Sequence, residues 1–403
     1  MSQLQRENWG KPHKTLPPLD LIQLQRESYQ WFLSQGIKES LQEVNGETGI
    51  EDFTGKNWVL SFANHRLGEP KYTPTQAKAK AVSYDVPLYA QATLTNKRTG
   101  EEQTQEVFLG DLPVMTGVGT FIINGIERAI ITQLVRSPGV FFLGDEDPNS
   151  RRVLYRAELR PLRGSWLEMT VGRRDVITVK IDRRRKMPVT VLLRALGYET
   201  NDEMLALFKD VTKQDQFNLL ENTLKKDATT NQAEALIEIY EKMRPGEPAV
   251  LDTAREYLSQ LFFDSKRYDL ARVGRYKLNR RLKIDIKEDQ TVLTPEDVVA
   301  TIRYLIDLQN GNGKVDDIDH LSNRRVRRVG ELVQTGAFRI GLIRLERSIR
   351  EKMSLTKTDE TLTPAALVNA RPLIATIGGF NSGHALEPVP VVSSQILLSL
   401  GSP

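Results

Sequence analysis

VLYRAELRPLRGSWLEMTVGRRDVITVKIDRRRKMPVTVLLRALGY (Val153 to Tyr198) decides how this chain is read. Val153, Tyr155, Ala157 and Leu159 alternate with Arg156, Glu158 and Arg160, the period of a half-buried strand with a charged outer face. Trp166 to Val171 and Val176 to Ile181 repeat that β character, and Thr190 to Leu196 turns helical. Strands handing over to helices predict a mixed α+β fold.

Working toward the N-terminus, Gly119 to Phe142 is dense in β-branched residues and punctuated by Asn124-Gly125, a hairpin dipeptide. Val82 to Leu94 and Glu106 to Leu112 read as strands joined by the charged Asn96 to Gln105 turn, and polar Asn45 to Lys56 is a loop. Leu16 to Leu33 opens with prolines and then reads as a helix, with Asp20 as its N-cap and Leu21, Leu24, Ser28 and Trp31 on one stripe. The Leu143 to Arg152 loop is a candidate domain boundary. Toward the C-terminus, Asn201 to Phe208, Gln232 to Tyr240 and Thr253 to Phe262 are helical. Thr294-Pro-Glu-Asp opens an amphipathic helix that runs to Leu308 and ends at the Asn310 to Gly313 breaker. Phe338, Leu342, Leu345 and Ile349 form a later apolar stripe.

Composition narrows the function classes. The 403 residues include 56 Lys+Arg against 52 Asp+Glu, four His and no Cys. Without cysteine there is no disulfide framework, thiol nucleophile, zinc ribbon or iron–sulfur cluster. No apolar run reaches the roughly 18 residues of a membrane helix, and Met1 to Gly10 is too polar for a signal peptide. A soluble, intracellular protein is expected.

Charge is clustered. Arg151 to Lys186 holds twelve bases and four acids, Ser265 to Lys283 eight and one, and Arg324 to Lys352 nine and three. Between the first two, Glu199 to Gln260 holds thirteen acids and seven bases. Such basic blocks suit a polyanion-facing surface backed by a solvated module; the alternative is an Arg-rich solvated face. Arginine outweighs lysine in Arg183-Arg184-Arg185, Arg324-Arg325 and Arg327-Arg328, which favours phosphate or guanine recognition.

Catalytic constellations are missing. Gly311-Asn-Gly313-Lys314 lacks the spacing and hydroxyl of a phosphate-binding loop, Gly117, Gly119 and Gly125 fit no dinucleotide fingerprint, and the four His are scattered. Asp316, Asp317 and Asp319 form the one cluster suited to Mg²⁺, against the plainer reading of an acidic turn paired with Arg324 to Arg328. On these residues the chain alone is not an enzyme.

EVFLGDLPVMTGVGTFIINGIERAIITQLVRSPGVFF (Glu106 to Phe142), RPLRGSW (Arg160 to Trp166), KIDRRRKMPVTVLLRALGY (Lys180 to Tyr198) and DDIDHLSNRRVRRVGELVQ (Asp316 to Gln334) resemble the N-terminal part of the bacterial-type DNA-directed RNA polymerase beta-subunit family, in a cyanobacterial or plastid-like form. The blocks keep the family's order and cover most of Leu16 to Ile377. The resemblance implies an α+β chain of two modules, the first interrupted by the second. The protrusion takes residues 1–134 and 322–377, the inserted lobe takes 135–321, and a Gly/Ser/Pro-rich tail at 378–403 departs from the family. That tail is an artificial end, a frame-shifted end or a truncation.

The same resemblance places Arg136, Trp166, Ile318, Asp319 and Arg324 around a non-template-strand nucleotide near the downstream fork. Without it, Trp166 reads as a core residue and Asp319 as a cap. Ile131, Gln133 and Arg327 match positions of the rifamycin pocket; by themselves they read as a strand core residue, a satisfied polar residue, and a phosphate contact or salt bridge. The implied role is DNA clamping within the polymerase, a nucleotidyltransferase that binds ribonucleosides, with no catalytic residue and no cofactor held by this chain. Mg²⁺ belongs to the beta-prime subunit. Implied partners are the non-template strand, downstream duplex, beta-prime and alpha subunits and a sigma factor, with no membrane, in bacterial cytoplasm or plastid stroma. The rival readings are a non-catalytic assembly scaffold or truncated decoy, and a nuclease built on Asp316, Asp317 and Asp319.

Overall fold

A computed structural model of the chain describes residues 20–46, 48–212, 218–355, 362–382 and 386–388. The chain divides into two compact units, one of Met1–Gln133 with Val326–Pro403 and one of Leu134–Arg325. Both mix helices with antiparallel sheets, the α+β class that the strand-to-helix pattern predicts.

The discontinuous unit is built on a four-stranded meander of Ile50–Glu51, Trp58–Leu67, Asp85–Asn96 and Glu102–Pro113. Leu60 opposite Leu94 and Val86 opposite Leu112 keep apolar side chains on one face, where helices bury them. The helix Gln23–Trp31 starts two residues later than an Asp20 cap predicts, because Asp20 accepts from the Ile22 amide in the preceding turn at 3.1 Å. Its buried stripe also differs: Leu21 and Leu24 are exposed, while Ser28, Tyr29 and then Phe32 face the core. Ser28 is buried because Gly330 packs directly on it and donates its amide to Ser28 Oγ at 2.9 Å; a Cβ at Gly330 would lie 2.0 Å from the Ser28 carbonyl. Two π-helical turns, Phe32–Gly36 and Gln334–Phe338, meet through a T-shaped Phe32–Phe338 contact and a 3.0 Å bond from Gln334 Nε2 to the Gly36 carbonyl.

Asn124-Gly125 does form a hairpin turn, between Phe121–Ile123 and Ile126–Ile130, with both residues at positive φ (51° and 79°). The helix Arg371–Ser382 runs across the start of the 378–403 region, and Leu386–Pro388 pairs with the Ile126–Ile130 strand. The rest of that tail, with the proline-containing residues 16–19 that precede the predicted cap, lies outside the described residues.

The continuous unit carries a five-stranded antiparallel sheet in the order Met187–Pro188, Ile177–Ile181, Leu167–Val171, Val153–Arg160, Gly139–Glu146. Leu167, Met169 and Val171 share one buried face with Ile177, Val179 and Ile181, and helices between Val189 and Gln309 complete that core. The opposite face carries Arg156, Glu168, Thr170, Thr178 and Lys180. The Leu143 to Arg152 stretch is not a boundary: Leu143 to Glu146 pair with Val153 to Arg156, so the loop is a hairpin turn inside this unit. The chain passes between units at Gln133–Leu134 and Arg325–Val326. No helix among the described residues is long and apolar enough to cross a membrane.

Candidate nucleic-acid interface

Alternation on the Val153–Arg160 strand sets Arg156, Glu158 and Arg160 on the open face of the sheet. Three guanidiniums converge on Glu158: Arg136 Nη1 at 3.0 Å, Arg160 Nη2 at 2.7 Å and Arg156 Nε at 3.6 Å. They cover the carboxylate so well that Glu158 is only 9% exposed on a face that otherwise meets solvent. Its cross-strand neighbour, Glu168, is balanced by Lys180 Nζ at 3.5 Å.

Trp166 follows the RPLRGS turn and is half-buried, neither core nor free. Arg160 lies over its indole at 4.2 Å from the ring centroid, and Arg183 approaches at 5.2 Å. Asp182 fixes this arrangement from below. Its carboxylate accepts from the Trp166 amide (2.8 Å) and the Ser165 hydroxyl (2.7 Å), and its own amide donates to the Trp166 carbonyl (2.9 Å). Asp182 and Arg183 both sit at positive φ (46° and 59°), a tight turn out of the strand that carries Arg183 to the tryptophan. Arg136, Arg156, Glu158, Arg160, Trp166 and Arg183 line a pocket of about 270 Å³.

Arg136 and Arg324 come from segments 188 positions apart in number but pinned together. The Ser137 amide donates to the Asn323 carbonyl at 2.9 Å, and Lys277 Nζ donates to both Ser137 Oγ (2.9 Å) and the Ser322 carbonyl (2.8 Å). Burial lowers the pKa of Lys277. Burial, then the charge of Arg160, lowers that of Arg136, with Arg156 and Arg324 adding and Glu158 opposing. Arg324 is ion-paired with Asp319, and its Nε donates to the Ile318 carbonyl at 3.3 Å. The five residues therefore form one chain of contacts, Trp166–Arg160–Glu158–Arg136 and Arg324–Asp319 with Ile318, joined by the Ser137–Asn323 bond. Chemically it offers clustered guanidiniums for phosphate, one aromatic face for a base, and an exposed carboxylate at Asp319 that can accept from a base amine.

The three aspartates of DDIDH turn to separate partners. Asp316 accepts from the Phe142 amide (2.8 Å) and pairs with Arg281 (3.2 Å), Asp317 accepts from the Asp319 amide (2.9 Å), and Asp319 holds Arg324. Among the described residues no group of three or more His, Asp or Glu is arranged for a metal ion.

Ile131 and Gln133 lie in the other unit on an exposed segment; Ile131 is 50% exposed, which corrects its reading as strand core, and Gln133 is solvent-facing rather than a satisfied interior polar residue. Arg327 donates to Thr335 Oγ1 at 2.6 Å and pairs with Glu331 at 3.8 Å. Sequence reasoning missed Arg156, Glu158, Arg160 and Arg183 as members of the pocket. The available signal is the strand alternation that puts Glu158 and Arg160 on one charged face, which does not say what they meet there.

Comparison with known proteins places the chain. Residues 136–327 match the family described as RNA polymerase Rpb2, domain 2, and residues 20–118 match the family described as RNA polymerase beta subunit. The chain is 48% identical over 368 residues to the DNA-directed RNA polymerase subunit beta of Syntrophomonas wolfei, covering 91% of this chain and 32% of that protein. It is 46% identical over 376 residues to the subunit of Gloeobacter violaceus (93% and 32%), and 47% identical over 383 residues to that of Trichormus variabilis (94% and 33%). The chain thus spans about a third of the length of the curated relatives it matches. Similarity runs through both units and over nearly every described element, and the chain belongs to the RNA polymerase beta-subunit family.

Proposed function

We propose that this chain is the N-terminal, DNA-clamping portion of an RNA polymerase beta subunit, contributing to DNA-templated RNA synthesis by gripping downstream duplex and the non-template strand. The Leu134–Arg325 unit is the lobe and the discontinuous unit the protrusion. The observation that carries the reading is the contact chain from Trp166 through Glu158 and Arg136 to Arg324 and Asp319, which sets a stacking face beside clustered guanidiniums. Catalysis belongs to the assembled enzyme: beta-prime supplies the Mg²⁺ site, and the alpha subunits and a sigma factor complete the complex in the cytoplasm or plastid stroma. Ile131, Gln133 and Arg327 lie at the rifamycin site.

Photocrosslinking from a non-template strand within the assembled polymerase tests this directly. Adducts at Arg136 or Trp166 are expected; a complex that transcribes with no adduct in the Leu134–Arg325 unit sinks the reading in favour of an assembly scaffold. DNA binding by the isolated chain is expected to be weak and to fall steeply with salt, the slope of log affinity against log salt being about −0.9 per phosphate neutralised. A flat salt titration contradicts that.

Asp319 supplies a second prediction. Asp319→Ala in the assembled enzyme should shift preference for guanine at the crosslinked position by about 1–3 kcal/mol relative to the other bases. Because Asp319 also holds Arg324, an equal loss for all four bases would mean that the carboxylate acts only by positioning that guanidinium.

A further inference from the structure

The basic block Arg151 to Lys186 is not exhausted by the Trp166 pocket. At the opposite end of the Leu167–Val171 and Ile177–Ile181 hairpin, the same open sheet face carries a second cleft of about 510 Å³. Its floor is aliphatic, formed by Leu154, Val171, Val176, Met187 and Pro188. Its rim holds Arg173, Arg174, Lys186 and Lys226 and no carboxylate. The two acids beside it are already paired: Asp147 takes Arg173 at 2.6 Å and Asp175 takes Arg152 at 2.6 Å. Arg174, Lys186 and Lys226 are exposed and make no ion pair among the described residues.

We propose that this cleft docks an acidic peptide segment of a partner protein through one or two aliphatic anchor side chains. A cationic rim, unpaired at Arg174, Lys186 and Lys226, around an apolar floor complements carboxylates flanking an apolar residue, and the volume accommodates a few side chains. Strand addition is blocked along this edge, because the short Met187–Pro188 strand already pairs with Thr178 and Val179 and Pro188 offers no amide. Recognition therefore falls to side chains and charge. Single-stranded nucleic acid is the weaker fit: the lining holds no aromatic ring on which a base can stack, unlike the Trp166 pocket. The site stands apart from the DNA-clamping residues and does not depend on their role.

The probe is a fluorescein-labelled peptide of about twelve residues, alternating Asp and Glu around a central Leu-Leu, titrated into the 403-residue chain by anisotropy. Replacing Leu-Leu by Ser-Ser should weaken binding by about tenfold, as should R174E combined with K226E. Thr178→Phe, which fills the cleft without changing charge, should do the same, whereas Trp166→Ala should leave peptide binding unchanged. Circular dichroism of each variant checks the fold; Arg174 and Lys226 are both exposed, so reversal leaves the core untouched. The proposal fails if the charge-reversed chain binds the Leu-Leu peptide as before, if the Ser-Ser peptide binds equally well, or if labelled oligothymidine outcompetes the peptide in a manner abolished by R174E and K226E.

Discussion

Replacing Arg275 by leucine is expected to destabilise the Leu134–Arg325 unit by about 3–5 kcal/mol, the cost of leaving a buried charge without its partner. Arg275 and Asp297 are both fully buried, joined at 2.6 Å, and the remaining guanidinium donors reach the Gln290 carbonyl (2.7 Å) and the Val292 carbonyl (2.5 Å). Every polar atom of the pair thus relies on protein, not water. Asp297 also closes the capping box at the start of the Pro295–Gln309 helix, taking the Thr294 amide at 2.8 Å. Stranding its charge loosens that helix start as well as the Ala271–Leu282 helix that carries Arg275.

Hydrogen exchange of peptides from these two helices reads the effect locally, which matters because a chain of two units need not unfold in one step. Asp297→Asn added to Arg275→Leu keeps an oxygen for the cap and removes the charge, so it should restore part of the protection. A loss below about 1 kcal/mol, or no recovery in the double variant, would show that the buried charge is not what holds these helices together.

Of these two helices only Pro295–Gln309 was legible in the sequence; Ala271–Leu282 showed there as a basic block alone. Thr294-Pro-Glu-Asp announces its own helix because capping is a local matter: the cap, the proline and the acid that answers it lie within four residues. Asn124-Gly125 is equally self-contained, since the positive φ of its turn is a property of those two residues. The Arg275–Asp297 pair spans 22 positions and left no pattern. Leu21 and Leu24 misled because apolar spacing names a stripe without saying what meets it; the partner, Gly330, is 302 positions from Ser28 and selects the neighbouring face. The Leu143 to Arg152 loop misled in the opposite way, since a polar Gly/Asp/Asn stretch marks a hairpin turn and a boundary alike.

The candidate interface divides along the same line. Motif resemblance picked out Arg136, Trp166, Ile318, Asp319 and Arg324, and periodicity placed Arg156, Glu158 and Arg160 on one face. Neither indicated that Arg136 reaches Glu158, because that contact depends on the pairing that sets Gly139 opposite Arg160, nor that Arg324 joins them, because that depends on Ser137 and Asn323 drawing two remote segments together. Net charge by block was a correct guide to where guanidiniums gather and a poor guide to how many are free. Arg136, Arg156 and Arg160 share one carboxylate, while Arg174, Lys186 and Lys226 share none.

On the proposed DNA-clamping role, Glu158→Gln should separate affinity from discrimination. The amide keeps the size of the side chain but leaves Arg136 and Arg160 facing each other without their shared counter-charge, while Arg156 keeps Asp145 at 3.1 Å. A stability loss of about 2 kcal/mol is expected, below that of Arg275→Leu because Arg136 and Arg156 are partly solvated. Freed of their tether, Arg136 and Arg160 gain reach toward phosphate, so nonspecific DNA binding should strengthen at low salt and its salt slope steepen by about 0.9 for each cation newly engaged. Arg160 is then held over Trp166 by its contact with the indole alone, so that lid is less firmly fixed and the indole stacks on a base in a looser register. Base preference at the crosslinked position should fall even as total binding rises. Titration across salt, paired with crosslinking to Trp166, reads both quantities from one preparation. An unchanged slope with unchanged preference would reduce Glu158 to a structural bridge, and a fall in both would mean that the arginines grip DNA only while Glu158 holds them in place.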